Sequence, residues 1–265
     1  MSASGSGGTA AEPSTKEPVV AAVSAAVEST AARRVELARV ESPSVSETAP
    51  DQQDVRAEVA RFKDPKVPVE QSVRQIMELG RRGDKRSVAV LMALGDDNTY
   101  LNWAAVESLG QVSSNEVTAY LTGKLGHQEI AVACAAVRGI GRALGARAIP
   151  VLGETLAQTR GRRDGYEDRV WKVCAEVLGG IRSPDAMPLL DRELSWVTQH
   201  QTRHLEYGSQ LVAAFKQIGD PAGGEILTRY AARLGEMKPE EARVITYVHE
   251  KITEAKLTAE ALGRQ

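Results

Sequence analysis

His200 and His204 stand four residues apart with Glu206 close behind, a spacing that can present two imidazoles and a carboxylate to a metal from one helical face. Two ligands of one type leave such a site incomplete. The pair also falls in a polar stretch between apolar segments, so it is expected in a surface loop. HExxH, GxSxG and a phosphate-cradling glycine loop do not occur. Cys134 and Cys174 are too few for a disulfide framework and fit small buried hydrophobes of a reducing compartment. Catalytic residues, a metal and a cofactor are therefore not expected.

Cationic groups offer another chemistry. "RGRRDG", with Arg160, Arg162 and Arg163, is the densest basic cluster, and Arg81, Arg82, Lys85 and Arg86 form a second. Setting aside the four basic and six acidic residues before position 51, the chain's 33 basic and 35 acidic residues leave 29 of each. A phosphate-tracking domain is usually clearly basic, so the balance argues against nucleic acid. Arg160, Arg162 and Arg163 are expected in a solvated loop that could dock an acidic partner.

The elements that must carry these groups show up as a repeat. "IMELG", "AVESLG", "AVRGIG", "CAEVLG" and "AFKQIG" end at Gly80, Gly110, Gly141, Gly179 and Gly219, spaced by 30, 31, 38 and 40 residues, the length of one helical hairpin. One residue before each glycine lie Leu79, Leu109, Ile140, Leu178 and Ile218. Four before lie Ile76, Val106, Val137, Ala175 and Phe215, one face of a first helix. Eleven after lie Leu91, Leu121, Leu152, Leu190 and Tyr230, and eight after lie Val88, Thr118, Ile149, Met187 and Leu227, the stripe of a second helix.

The turns carry matching signals. Each glycine is expected to end its first helix in the left-handed conformation, and Asp84, Asn115 and Ser183 to cap the second. Pro150 and Pro188 both follow their glycine by nine residues, within the opening turn of the second helix, where the usual penalty of about 3 kcal/mol for a helical proline is largely avoided. Val73, Trp103, Cys134 and Trp171, seven or eight residues before their glycines, are expected in the core.

"LGGIRSPDAMPLLDREL" and "IGRALGARAIPVLGETL" resemble the short HEAT-like repeats of the bilin-lyase type, in which a "LG…DPxAVPxLxxxL" motif joins two antiparallel helices. The resemblance covers roughly residues 69–238 and implies an all-α solenoid, a superhelix of about five helical hairpins. Doubled Gly179-Gly180, Lys172 at a usually apolar place and longer connections in units four and five depart from the pattern. Di-iron hydroxylases among HEAT-like proteins need His-Glu pairs in several repeats, whereas His249-Glu250 is the only such pair here.

Around the array, residues 1–50 form an Ala/Ser/Pro-rich tail expected to be disordered, since it lacks the large apolar groups that offset ordering entropy. Residues 51–68 are a linker or leading helix, 69–238 the solenoid and 239–265 capping helices for its exposed end. No apolar run is long enough to span a bilayer, so a cytoplasmic chain without membrane contact is expected.

Positions ten, thirteen and fourteen after each glycine leave the buried stripe of the second helix. There stand Tyr120, Lys124, Glu154, Arg192, Glu193, Arg229 and Arg233, mixed charge with an aromatic, which suits a protein partner. The expected function is a non-catalytic scaffold or adaptor binding another protein through this face. The resemblance implies an alternative, a subunit of a bilin lyase or isomerase. Nucleic-acid binding is the third.

Overall fold

A computed structural model describes residues 51–97, 99–159, 166–199, 205–237 and 242–264, and of 166–168 and 242–245 the backbone only. The amino-terminal tail, Arg160, Arg162, Arg163, His200 and His204 lie outside the described residues. Within them the protein is an all-α solenoid, with no strand. A leading helix, α1 (Gln52–Phe62), packs on α3. Five hairpins follow. Their first helices are α2 (Val69–Arg82), α4 (Asn102–Leu109), α6 (Ile130–Leu144), α8 (Tyr166–Ile181) and α10 (Leu205–Ile218). Their second helices are α3 (Lys85–Asp96), α5 (Asn115–Lys124), α7 (Ile149–Thr159), α9 (Met187–Gln199) and α11 (Ala222–Gly235). One helix, α12 (Ala242–Gly263), covers α11 and α10.

The core follows the repeat register. Ile76, Val106, Val137, Ala175 and Phe215 are buried, as are Leu91, Leu121, Leu152, Leu190 and Tyr230. In units two to four the second-helix stripe is turned by one residue, so Val117, Ala148 and Ala186 are buried while Thr118, Ile149 and Met187 are half-buried. Pro150 and Pro188 are the second residues of α7 and α9, each entered from a short 3-10 turn, Gly145–Ala148 and Pro184–Ala186.

The repeat glycines play a different part from the one expected. Only Gly110 and Gly219 sit at a helix end, and only Gly219, at φ 75°, is left-handed. Gly80, Gly141 and Gly179 lie inside their helices, which end at Gly83, Gly145 and Arg182, with φ of 60°, 55° and 54°. The recurring glycine instead removes a side chain where successive first helices meet. A Cβ on Gly80 would stand 2.6 Å from the Ser108 carbonyl oxygen, and one on Gly179 2.8 Å from Ala214 Cα. A Cβ on Gly141 would run into Val177, and one on Gly110 into the backbone of Gly139. Three of these contacts, Ser108, Gly139 and Val177, fall on the residue two before the next glycine, as does Gln217, whose Oε1 would lie 2.6 Å from a Cβ on Gly179. First helices thus pack in one register throughout, whereas among the described second helices only the backbones of α9 and α11 come close.

Capping also shifts by one residue in unit two. Ser114, not Asn115, accepts from the Val117 amide at 3.1 Å, because Asn115 is already the first helical residue. Ser183 accepts from the Asp185 amide. Asp84 accepts from the Ser87 amide at 2.8 Å and the Ser87 hydroxyl at 2.9 Å. The amide bond, with help from Arg82, holds the Asp84 carboxyl below the usual aspartate range. A depressed folded-state value means that the cap contributes above the unfolded pKa of about 3.9 and is lost as pH falls through the folded one. Asp84→Ala should cost about 1 kcal/mol at neutral pH and less in strong acid, as the carboxylate protonates in the folded state. Urea titration in the two conditions checks this, and an equal loss in both would remove the charged cap from the account.

Candidate interaction surface

The second-helix face is largely committed within the protein. The Tyr120 hydroxyl lies 3.0 Å from both the Met92 carbonyl and Asp96 Oδ1, and Lys124 Nζ lies 2.7 Å from Asp96 Oδ1 and 3.3 Å from the Gly95 carbonyl. Gly95 makes the room, since a Cβ there would stand 2.5 Å from the Tyr120 hydroxyl. Burial foremost, then the Asp96 charge, pushes the Tyr120 hydroxyl far up, so it stays a neutral donor. This clamp ties α5 to the carbonyl end of α3, where a cation also meets the helix dipole.

A matching clamp joins α11 to α9. Arg233 Nη1 donates to Ser195 Oγ at 2.7 Å, while Arg233 and Arg229 reach the Asp191 carboxylate at 3.5 and 3.3 Å. Glu193 corrects the sequence expectation outright. It is fully buried, with Arg192 Nε 3.6 Å from its carboxylate, because the buried stripe of α9 runs through Leu190, Glu193, Leu194 and Val197. Glu154 and Arg192 alone of the seven remain exposed without an inter-unit partner among the described residues, on the walls of an open groove between α7 and α9 floored by Pro150, Gly153 and Leu189.

The first-helix face is freest on units one and two. Positions ten, seven and three before the glycine and one after it share a side of the helix. In unit one they are Glu70, Val73, Met77 and Arg81; in unit two Tyr100, Trp103, Glu107 and Gln111; in unit three Ala131, Cys134, Arg138 and Arg142; in unit four Arg169, Lys172, Glu176 and Gly180. The large apolar side chains exposed among the described residues are Val69, Met77, Tyr100, Trp103 and Leu257. All but Leu257 gather on α2 and the entry to α4. Trp103, expected in the core, is 37% exposed because the inward side of this short helix is already filled by Ala105, Val106 and Leu109. Trp171 does lie in the core.

Beyond this apolar end the same face becomes ionic. Glu107 meets Arg142 at 2.9 Å and Arg138 at 3.8 Å, Arg138 reaches Glu176 at 3.9 Å, and Lys172 holds Glu206 at 2.5 Å. The bond and charge of Lys172 lower the Glu206 carboxyl. Lys172 thus stands on the solvent side of its helix, which explains a lysine at a usually apolar place. Periodicity carries part of this signal: the four positions recur with the glycine register, and the place seven before the glycine, which the spacing predicts as core, turns outward at Trp103.

Among the described residues no three of His, Cys, Asp and Glu gather as metal ligands, and His249 is exposed. Burial pushes both thiols up, Cys174 the further, which keeps them protonated and poorly nucleophilic at neutral pH. No described helix is long and apolar enough to cross a membrane.

No protein-family model matches the chain, and no curated protein does. Among solved structures, the complex of CpcE and CpcF of phycocyanin lyase from Nostoc sp. PCC7120 is similar, at 17% identity over 82% of this chain and 99% of that one, with a TM-score of 0.38.

Proposed function

We propose that the protein is a non-catalytic helical-repeat adaptor, of the HEAT-like type its motifs resemble, that binds another protein. The observation that supports this best is the exposed cluster of Val69, Met77, Tyr100 and Trp103 on one end of the first-helix face. Exposed apolar side chains scattered singly are ordinary, but four of them on two neighbouring helices suit an interaction site, and Trp, Tyr and Met are the residue types enriched there. The binding face therefore moves from the second helices to the first. Tyr120, Lys124, Arg229 and Arg233 are spent on clamps between units, while Glu154 and Arg192 keep a place in a secondary groove.

The test is co-purification from cell lysate with the full chain as bait, comparing the natural sequence with Tyr100→Ala/Trp103→Ala. Both side chains are exposed, so the helical circular dichroism should be unchanged. A hot-spot pair should lower recovery of the specific partner by more than about tenfold. Equal recovery would move the interface off this face.

A second reading, a subunit of a bilin lyase or isomerase, rests on the "LG…DPxAVPxL" resemblance alone. It predicts visible tetrapyrrole absorption in the same co-purified material, and a colourless stoichiometric partner would count against it.

A further inference from the structure

We infer that the first-helix face takes a helical segment of its partner about 20 residues long, apolar over one half and acidic over the other. The inference rests on the reading that this face binds protein, and it adds the chemistry of what binds. Val73, Met77, Tyr100 and Trp103 supply apolar ground on units one and two, because the glycine register sets the first pair beside the second. On units three and four stand Arg138, Arg142, Arg169 and Lys172, opposed by Glu107, Glu176 and Glu206, an excess of one positive charge among these described side chains.

The cations are also incompletely satisfied. Arg169 is exposed and has no ion pair among the described residues, and Arg138 reaches its two carboxylates only at 3.8 and 3.9 Å. Carboxylates from outside could approach both without displacing the short Arg142–Glu107 and Lys172–Glu206 pairs. A basic segment would meet like charge. A nucleic acid would find one net charge where phosphate tracking needs many. The span sets the length: four helices at about 8–10 Å between axes cover roughly 25–30 Å, which a helix rising 1.5 Å per residue crosses in about 20 residues.

The experiment is fluorescence anisotropy of labelled synthetic peptides against the full chain. The first peptide, of about 20 residues, carries Leu and Phe at i, i+3 and i+4 in one half and glutamates in the other, and is made in both directions. The second has lysine for every glutamate, and a single-stranded oligonucleotide is the third probe. The acidic peptide should bind at least about tenfold tighter than the lysine peptide, weaken as salt rises, and lose about tenfold with Arg138→Glu/Arg169→Glu and again with Trp103→Ala. Arg169→Glu alone, at an exposed side chain without an ion pair among the described residues, serves if the double variant fails to fold. Equal or tighter binding of the lysine peptide, tighter binding of the oligonucleotide, or no binding of the acidic peptide overturns the inference. If cellular partner capture still depends on Tyr100 and Trp103 in that event, the face remains an interface and only the acidic chemistry falls.

Discussion

Gly110→Ala should lower stability by about 3 kcal/mol, although alanine is the better helix former. Gly110 has φ −61°, where any L-residue is at ease, so conformation is not at stake. Space is. The added Cβ would run into Gly139 Cα and stand 2.8 Å from its carbonyl oxygen and 3.0 Å from its carbonyl carbon. These are backbone atoms of α6, so no rotamer change can relieve the contact and the two helices must separate. For a domain of this size the loss corresponds to a fall in Tm of roughly 6–12 °C. Gly123→Ala is the internal control: Gly123 lies within α5 with nothing within 4 Å of its would-be Cβ, so that change should stabilise by about 0.5–1 kcal/mol. Thermal and urea unfolding followed by circular dichroism would show the two alanines moving in opposite directions. Similar shifts would mean that the first helices are not held at contact distance by their glycines.

Trp171→Ala should cost about 4 kcal/mol. The ring is fully buried in α8 and joins three hairpins. Its Nε1–H donates to Thr159 Oγ1 of α7 at 2.7 Å, it meets Trp196 of α9 edge-on with centroids 4.9 Å apart, and Tyr207 of α10 lies tilted at the same separation. Removal leaves a large cavity and ends both aromatic contacts. Trp171→Phe, which keeps a ring but drops the donor, should cost roughly 1–2 kcal/mol. Near-ultraviolet circular dichroism should lose intensity in the alanine variant at temperatures where helix content persists, because repeats unfold by neighbours rather than all at once. A loss in the alanine variant no larger than in the phenylalanine one would show that the cluster is not what joins units three to five.

Local pattern carried the architecture far. Helical periodicity needs only one chain segment to be expressed, so the five hairpins, the buried Ile76, Val106, Val137, Ala175 and Phe215, and the helix-opening Pro150 and Pro188 follow from spacing alone. Asp84 could be named as a cap for the same reason, since its partner is three residues away.

Pairing between units lay beyond that reach. A glycine that ends a helix and one that lets a neighbour approach look identical in sequence, and only the stacking of α2, α4, α6, α8 and α10 shows that Gly80, Gly141 and Gly179 belong to the second kind. Tyr120, Lys124, Arg229 and Arg233 have the types of an interface anchor, yet their partners, Asp96, Asp191 and Ser195, sit 24 to 42 residues away on the second helix of the preceding unit and satisfy them inside the protein. Glu193 belongs to the buried stripe by the pitch of α9, and Trp103 belongs to the surface because smaller side chains already fill the inward side of α4. The sequence by itself determined which segments are helices and, to within about one residue and apart from Trp103 and Glu193, which stripe of each turns inward. Which outward side stays free was decided only by tertiary structure, because it depends on what the next hairpin brings against it.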